Sequence, residues 1–151
     1  MMHAAGLSTR AHVAPPTHAL TPIQPWAHAI VQLGKRIENR SWIPPQWVLG
    51  RRIYIHAGAK LDRSSVNTLR DFGHELPATL PQRSIRCSVV VVGWVRPDGR
   101  PGGALTSEQV ARVLSDVWYV PGQIAWVLDE MQLVRPTLEI SGRLGLWEVA
   151  P

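Results

Sequence analysis

The sequence predicts an α+β domain: a small mixed β-barrel, closed or half-closed, with two or three helices packed across its mouth. Three observations predict it. Segments with the two-residue period of strands outnumber those with a helical period. Strands and helices do not alternate, so an all-parallel sheet is not expected. The chain has 151 residues, which suits one domain. Residues 1–16 read as a disordered lead, with Pro15-Pro16 and no apolar period, and residues 17–151 as the single domain.

The elements follow in order. His18–Ile23 reads as a short strand. Pro25 fits the first position of a helix, where its missing N–H is no loss. Trp26, Ile30 and Leu33 then share one helix face, and Gly34 is placed to end it. Arg36–Trp42 alternates as a strand, with Ile37, Asn39 and Ser41 on one side and Glu38, Arg40 and Trp42 on the other. Pro44-Pro45 stops it. Arg52–Ala57 is a second such strand, presenting His56. Asp62 is suited to cap a helix running to Phe72, and 73–81 is a loop. Ser84–Arg96, with its run Val89-Val90-Val91-Val92, is the strongest strand, turned by Pro97-Asp98-Gly99. Residues 99–105 read as a Gly/Pro loop, Thr106–Ser115 as a short helix, and 123–128 and 132–135 as two separate strands. Gly142–Val149 is the last strand.

Composition narrows the function classes. The chain is 45% hydrophobic and 18% charged, as globular domains are. Cys87 is the single cysteine, which excludes an internal disulfide and multi-cysteine zinc sites. No disulfide-linked partner, metal or cofactor is expected. No apolar run reaches the roughly 18 residues of a membrane helix, and no secretory signal is visible. A cytoplasmic protein without membrane association is therefore expected. Sixteen basic against eleven acidic residues give +5, and only Lys35 and Lys60 are lysines. That excess favours an anionic partner, nucleic acid first, although GC-rich coding alone would also enrich arginine, proline and glycine.

One segment concentrates chemistry. Between Gln24-Pro25-Trp26 and Trp42, a helix ends at Gly34 and a polar strand begins at once. Lys35 stands at the junction, and Glu38 and Arg40 share a strand face. Three charged side chains thus converge on the mouth between helix and strand. The run resembles the ASCH domain family, a branch of the PUA-like β-barrel superfamily, with its Gly-x-Lys-x-x-Glu-x-Arg motif. Lys35, Glu38 and Arg40 match it; Leu33 stands where the family has glycine, with Gly34 one place on. Gln24-Pro25-Trp26, Ile55-His56-Ala57, Gln123–Trp126, Arg135-Pro136 and Gly142–Trp147 extend the likeness over about residues 19–149. The resemblance implies a PUA-like barrel with a cleft beside the first helix, binding RNA or acting on nucleotides. Some relatives hydrolyse modified nucleosides and carry threonine three residues after the lysine, where this chain has Glu38.

The expected ligand-binding residues are Gln24, Pro25, Trp26, Lys35, Glu38, Asn39, Arg40 and Trp126. The expected catalytic ones, if there is turnover, are Lys35, Glu38 and His56. A lysine among fourteen arginines suggests that a compact point charge is needed. Glu38 and Arg40 also fit a structural ion pair, and His56 a satisfied buried histidine. Seven tryptophans supply faces on which bases stack. Trp26, Trp42 and Trp126 are expected as pocket walls and Trp94 and Trp147 as core. Arg51 and Arg52 are candidates for a basic rim. Three functions stay open: a module binding RNA or a modified nucleotide, a small hydrolase of a modified nucleoside or RNA, and a protein-interaction domain with a vestigial cleft. The oligomeric state is not legible.

Overall fold

The computed structural model describes residues 14–150. Most of the lead expected at 1–16 therefore lies outside the described residues. Seven strands and three helices follow one another as β1 (His18–Leu20), α1 (Trp26–Gln32), β2 (Ile37–Arg40), β3 (Arg52–Ala57), α2 (Arg63–Asp71), β4 (Ser84–Val95), β5 (Pro101–Gly103), α3 (Ser107–Leu114), β6 (Ile124–Glu139) and β7 (Leu146–Glu148). A 3-10 turn, Gln46–Val48, precedes β3. No helix among the described residues is long and apolar enough to cross a membrane.

The strands form one mixed sheet in the order β2-β6-β4-β3-β1-β7, with β5 attached to β4. Only β1 and β3 run parallel. The ladder between β4 and β6 shifts register three times. Such bulges bend and twist a strand pair, and the sheet curls into a half-barrel. Its two edges, β2 and β7, stay unpaired with one another. They approach where a Cβ on Gly145 would stand 3.6 Å from the Trp42 ring.

Three expectations about strands are corrected. The Gly/Pro loop contains β5, because Gly93, Gly102 and Gly103 let two backbones come very close. The two strands expected at 123–128 and 132–135 are one sixteen-residue strand, β6. The polar Asp129-Glu130 pair imitates a turn, but Glu130 takes a left-handed φ of 48° in mid-strand and its carbonyl accepts from Arg52 at 2.7 Å. The last strand is confined to Leu146–Glu148.

The core follows from strand alternation. Leu20, Ile53, Ile55, Val89, Val91, Trp126 and Leu128 face Ala27 and Ile30 of α1. Ala125, next to Trp126, faces the other way, and with Ile37 and with Val95, which lies beyond the last β4–β6 register shift, it packs with Val113 of α3 in a second cluster. Thr106 and Gln109 close a reciprocal capping box on α3. The Asp62 carboxylate caps α2 by accepting from the Ser64 and Ser65 N–H groups, and bonds to those serines hold its pKa down at about 2. Trp147 is buried as expected, whereas Trp94 is only half-buried. Trp94 lies over Gly102, with the Arg96 guanidinium on its ring at 5.3 Å.

Gly34 turns the chain out of α1 at a left-handed φ of 74°. A Cβ there would meet nothing within 4 Å. Gly34→Ala is therefore expected to cost only the conformational penalty, about 1–2 kcal/mol, read as a fall in the urea midpoint. A wild-type midpoint in the variant would refute the left-handed turn.

Candidate functional site

The site is built from the end of α1 and the whole of β2. After Gly34 reverses the chain, the Lys35 N–H bonds back to the Ala29 carbonyl at 3.1 Å. Arg36 turns outward and donates to the Ile30 and Lys35 carbonyls at 2.8 and 2.9 Å. These bonds cap the helix and send the Lys35 side chain inward. Lys35 is 2% exposed and Glu38 5%. Lys35 Nζ donates to the Ile37 carbonyl, lies 3.5 Å from Glu38 Oε2, and sits 5.8 Å from the centre of the Trp26 ring. Glu38 Oε1 is 3.8 Å from Arg40 Nε. That separation is too long for a hydrogen bond, and Arg40 Nε is a buried donor without a hydrogen-bond partner among the described residues.

The electrostatics follow from burial. Desolvation pulls the Lys35 pKa below its ordinary value. The Glu38 carboxylate opposes that shift, and the Arg40 charge adds to it. The trio Lys35, Glu38 and Arg40 carries a formal +1 at neutral pH, held beside an aromatic wall. Lys35 is therefore no solvated surface cation.

A cavity of about 670 Å³ opens over Lys35 and Glu38. Trp26 and Asn39 line one side, and Leu69 of α2 and Phe72, which caps that helix, another. The third side is the loop 117–120, with Trp118 and Tyr119, and His74 of the α2–β4 connection lies beside it. His74 and Trp118 stack with ring centres 5.6 Å apart. Asn39 fixes that loop from both ends of its amide. It donates to the Trp118 carbonyl and accepts from the Val120 N–H, each at 2.9 Å. At the mouth, Phe72 is 80% exposed and Val117 91%. A second cavity, about 630 Å³, shares Trp26, Glu38 and Asn39 and adds Arg40 and Trp42.

The structure thus brings together Trp26, Lys35, Glu38, Asn39 and Arg40 and leaves four expected residues elsewhere. Trp126 pairs with Glu38 across the β2–β6 ladder, but its ring is fully buried beneath the site. It meets Trp42 edge to face and donates to the Trp42 carbonyl at 3.0 Å. Gln24 is 1% exposed and commits its amide to the Pro81 carbonyl and the His28 N–H. Pro25 is buried at the start of α1 and lines neither cavity. His56 lies in a different cavity from Lys35. Its Nε2–H donates to the Ile140 carbonyl at 2.6 Å, which leaves Nδ1 to accept from Thr21 Oγ1 at 3.3 Å. Thr21 Oγ1 in turn accepts from the Trp147 indole at 2.8 Å.

Sequence reading misses Phe72, His74, Trp118 and Tyr119. They come from the C-terminal cap of α2 and from loops far beyond Lys35 in the chain, and no periodicity marks them. The Trp118-Tyr119 pair in a polar stretch is the available signal. Cys87 is buried, and burial pushes its thiol up to about 12, far from a reactive thiolate.

The burial of Lys35 has a pH signature. Its folded pKa lies below the unfolded value of 10.5, so between the two the unfolded chain binds more protons. Folding stability attributable to Lys35 therefore rises with pH through that window. The urea midpoint of wild type is expected to rise relative to that of Lys35→Met as pH climbs toward 10.5. A difference that stays constant with pH would show that Lys35 is not desolvated.

No protein-family model matches this chain, and no curated protein matches it. Among solved structures it is similar to the crystal structure of ASCH from Zymomonas mobilis, with 19% identity and a TM-score of 0.49 over 88% of this chain and 87% of that one. Two mutant forms of the same Zymomonas mobilis protein each give 20% identity and a TM-score of 0.48, again over 88% of this chain and over 89% and 87% of theirs.

Proposed function

We propose that this ASCH-like domain binds single-stranded RNA or a modified nucleotide, with one base held in the cavity over Lys35. The observation that carries the reading is the combination at that cavity. A buried cation and a carboxylate form its floor, and Trp26 and Trp118 form its walls. A nucleobase is planar, with a hydrogen-bonding edge and an apolar face. The aromatic walls suit the face, and Lys35 and Glu38 offer a donor and an acceptor to the edge. Unstacked bases of single strands are commonly read in this manner. The cavity volume also falls in the range of ligand sites, and the chain's net charge of +5 favours a phosphate-bearing partner.

A second reading is supported by one further observation, the burial of the Lys35 amine 3.5 Å from Glu38, a desolvation that lowers its pKa. An amine desolvated in this manner is a candidate nucleophile or proton carrier. Hydrolysis of a modified nucleoside would then use Lys35 and Glu38. His56, in its separate cavity, has no part in it.

The binding reading is tested with a single-stranded RNA oligonucleotide at low and moderate salt. Affinity is expected to fall as salt rises. Trp118→Ala is expected to cost about 1–3 kcal/mol of binding, the value of one base stack, and Lys35→Met to weaken binding further without unfolding the chain. Salt-independent binding, or wild-type affinity in Trp118→Ala, would refute the base pocket. The hydrolytic reading expects turnover of modified nucleosides to vanish in Lys35→Met, and fails if turnover persists.

A further inference from the structure

A third cavity, of about 560 Å³, opens at the far end of the same seam. It shares Thr21, Ile23 and Leu144 with the middle cavity, which in turn shares Trp26, Glu38 and Asn39 with the cavity over Lys35. Through these shared residues the three adjoin in a row, a trench that starts over Lys35, passes the gap between β2 and β7 and ends at His56. Their linings differ in charge. The far end carries Lys60, Arg83 and Arg143 and no carboxylate. Among the described residues none of these three cations takes part in an ion pair, while five pairs form elsewhere. The second of the chain's two lysines is thus at this end of the trench, as the first is at the other.

The floor of this end is rigid. The ring of His56, 1% exposed, is fixed by Thr21 and the Ile140 carbonyl. Gly142 lies directly on that ring, and a Cβ there would come within 2.4 Å of it. This close approach seats the Ser141–Leu144 segment, and Arg143 with it, over the cavity. Arg83 is held in the left-handed region at φ 53°. Its N–H bonds to the Ala57 carbonyl at 2.7 Å, and its own carbonyl accepts from Ile140 at 3.0 Å. Glycine would occupy that backbone at less cost. An arginine kept in a strained position, with no carboxylate to pair with, is a reason to look for an anion there.

We infer that this far end is a phosphate site, and that the trench takes a single-stranded oligonucleotide with its base over Lys35 and a backbone phosphate among Lys60, Arg83 and Arg143. The inference rests on the base-binding reading for the direction of the strand. The phosphate site itself rests on this cavity alone.

The test uses the full chain and the double variant Arg83→Gly with Arg143→Ala. Glycine at 83 relieves the left-handed strain and Arg143 is exposed, so folding is expected to hold, as checked by the urea midpoint. Three probes are titrated: a single-stranded RNA hexanucleotide, the four ribonucleosides, and inorganic pyrophosphate followed by the NMR signals of His56 and Gly142. The double variant is expected to bind the hexanucleotide at least tenfold more weakly. Its slope of log affinity against log salt is expected to be shallower by about 0.7 for each phosphate no longer neutralised. Ribonucleoside binding is expected to stay unchanged, and the pyrophosphate response to vanish. Unchanged hexanucleotide affinity and slope would overturn the phosphate site, and the base pocket would stand if Trp118→Ala still weakened binding. A pyrophosphate response in a wild type that binds neither RNA nor nucleosides would overturn the oligonucleotide assignment in favour of a small phosphate ligand. No response to any probe would overturn both readings.

Discussion

The structure turns on one costly arrangement, an ammonium group taken out of water at the foot of a short helix. Removing a charge of this kind from solvent costs several kcal/mol. The cost is offset by the Glu38 carboxylate, the Ile37 carbonyl and the face of Trp26, which all converge on Lys35 Nζ. The partners come from the two elements on either side of Lys35. Trp26 opens α1, Lys35 follows the turn that ends it, and Glu38 lies on β2. The cation is stable only if helix, turn and strand hold one geometry together. A seven-residue helix has little stability of its own. Its packing on Val89, Val91 and Trp126 and its C-terminal bonds from Arg36 supply what propensity does not.

The edge position of β2 explains how the cavity is lined. In a central strand, Glu38 and Asn39 would face opposite sides of the sheet and never share a pocket. As the last strand, β2 offers both faces to the same open space. Glu38 meets Lys35 on the inner side and has Arg40 Nε 3.8 Å from its other oxygen. Asn39 reaches round the edge and pins Trp118 and Val120. One strand of four residues therefore sets both the charged floor and the aromatic wall. The amide holds the backbone of the loop, Trp118 and Tyr119 pack against the Ile37 and Val113 cluster, and the Trp118 ring, stacked on His74, also borders the cavity.

This arrangement also explains what is legible in the chain and what is not. The elements with local signals are legible: the Asp62 cap, the Gly34 turn, the valine-rich β4, and the alternation that puts Lys35, Glu38 and Arg40 in one place. Partners set by tertiary packing are not. Trp126 and Trp42 carry the same side chain, and sequence cannot tell that one is sealed under Glu38 while the other rims the trench. Asp129-Glu130 has the composition of a turn, and only its pairing with β4 and the bond from Arg52 keep it in β6. His56 stands in a short motif that suggests a place beside Lys35. Its two hydrogen bonds tie it to the opposite end of the seam instead.

The open seam is the consequence that joins these features. β2 ends at Arg40, before Pro44-Pro45, and neither proline can donate to a ladder. On the other side, β7 begins only at Leu146, because the Ser141–Gly145 segment is occupied in covering His56 and in bonding Thr21. Neither edge has the length to reach the other as a regular pair, so the barrel stops half-closed. Closing it would add a few backbone hydrogen bonds, each worth about 1 kcal/mol net, and would fill the trench with main chain. The sequence instead places two prolines, two glycines and a buried histidine at that gap. What they hold open is a groove with a cation at each end and aromatic rings beside one of them.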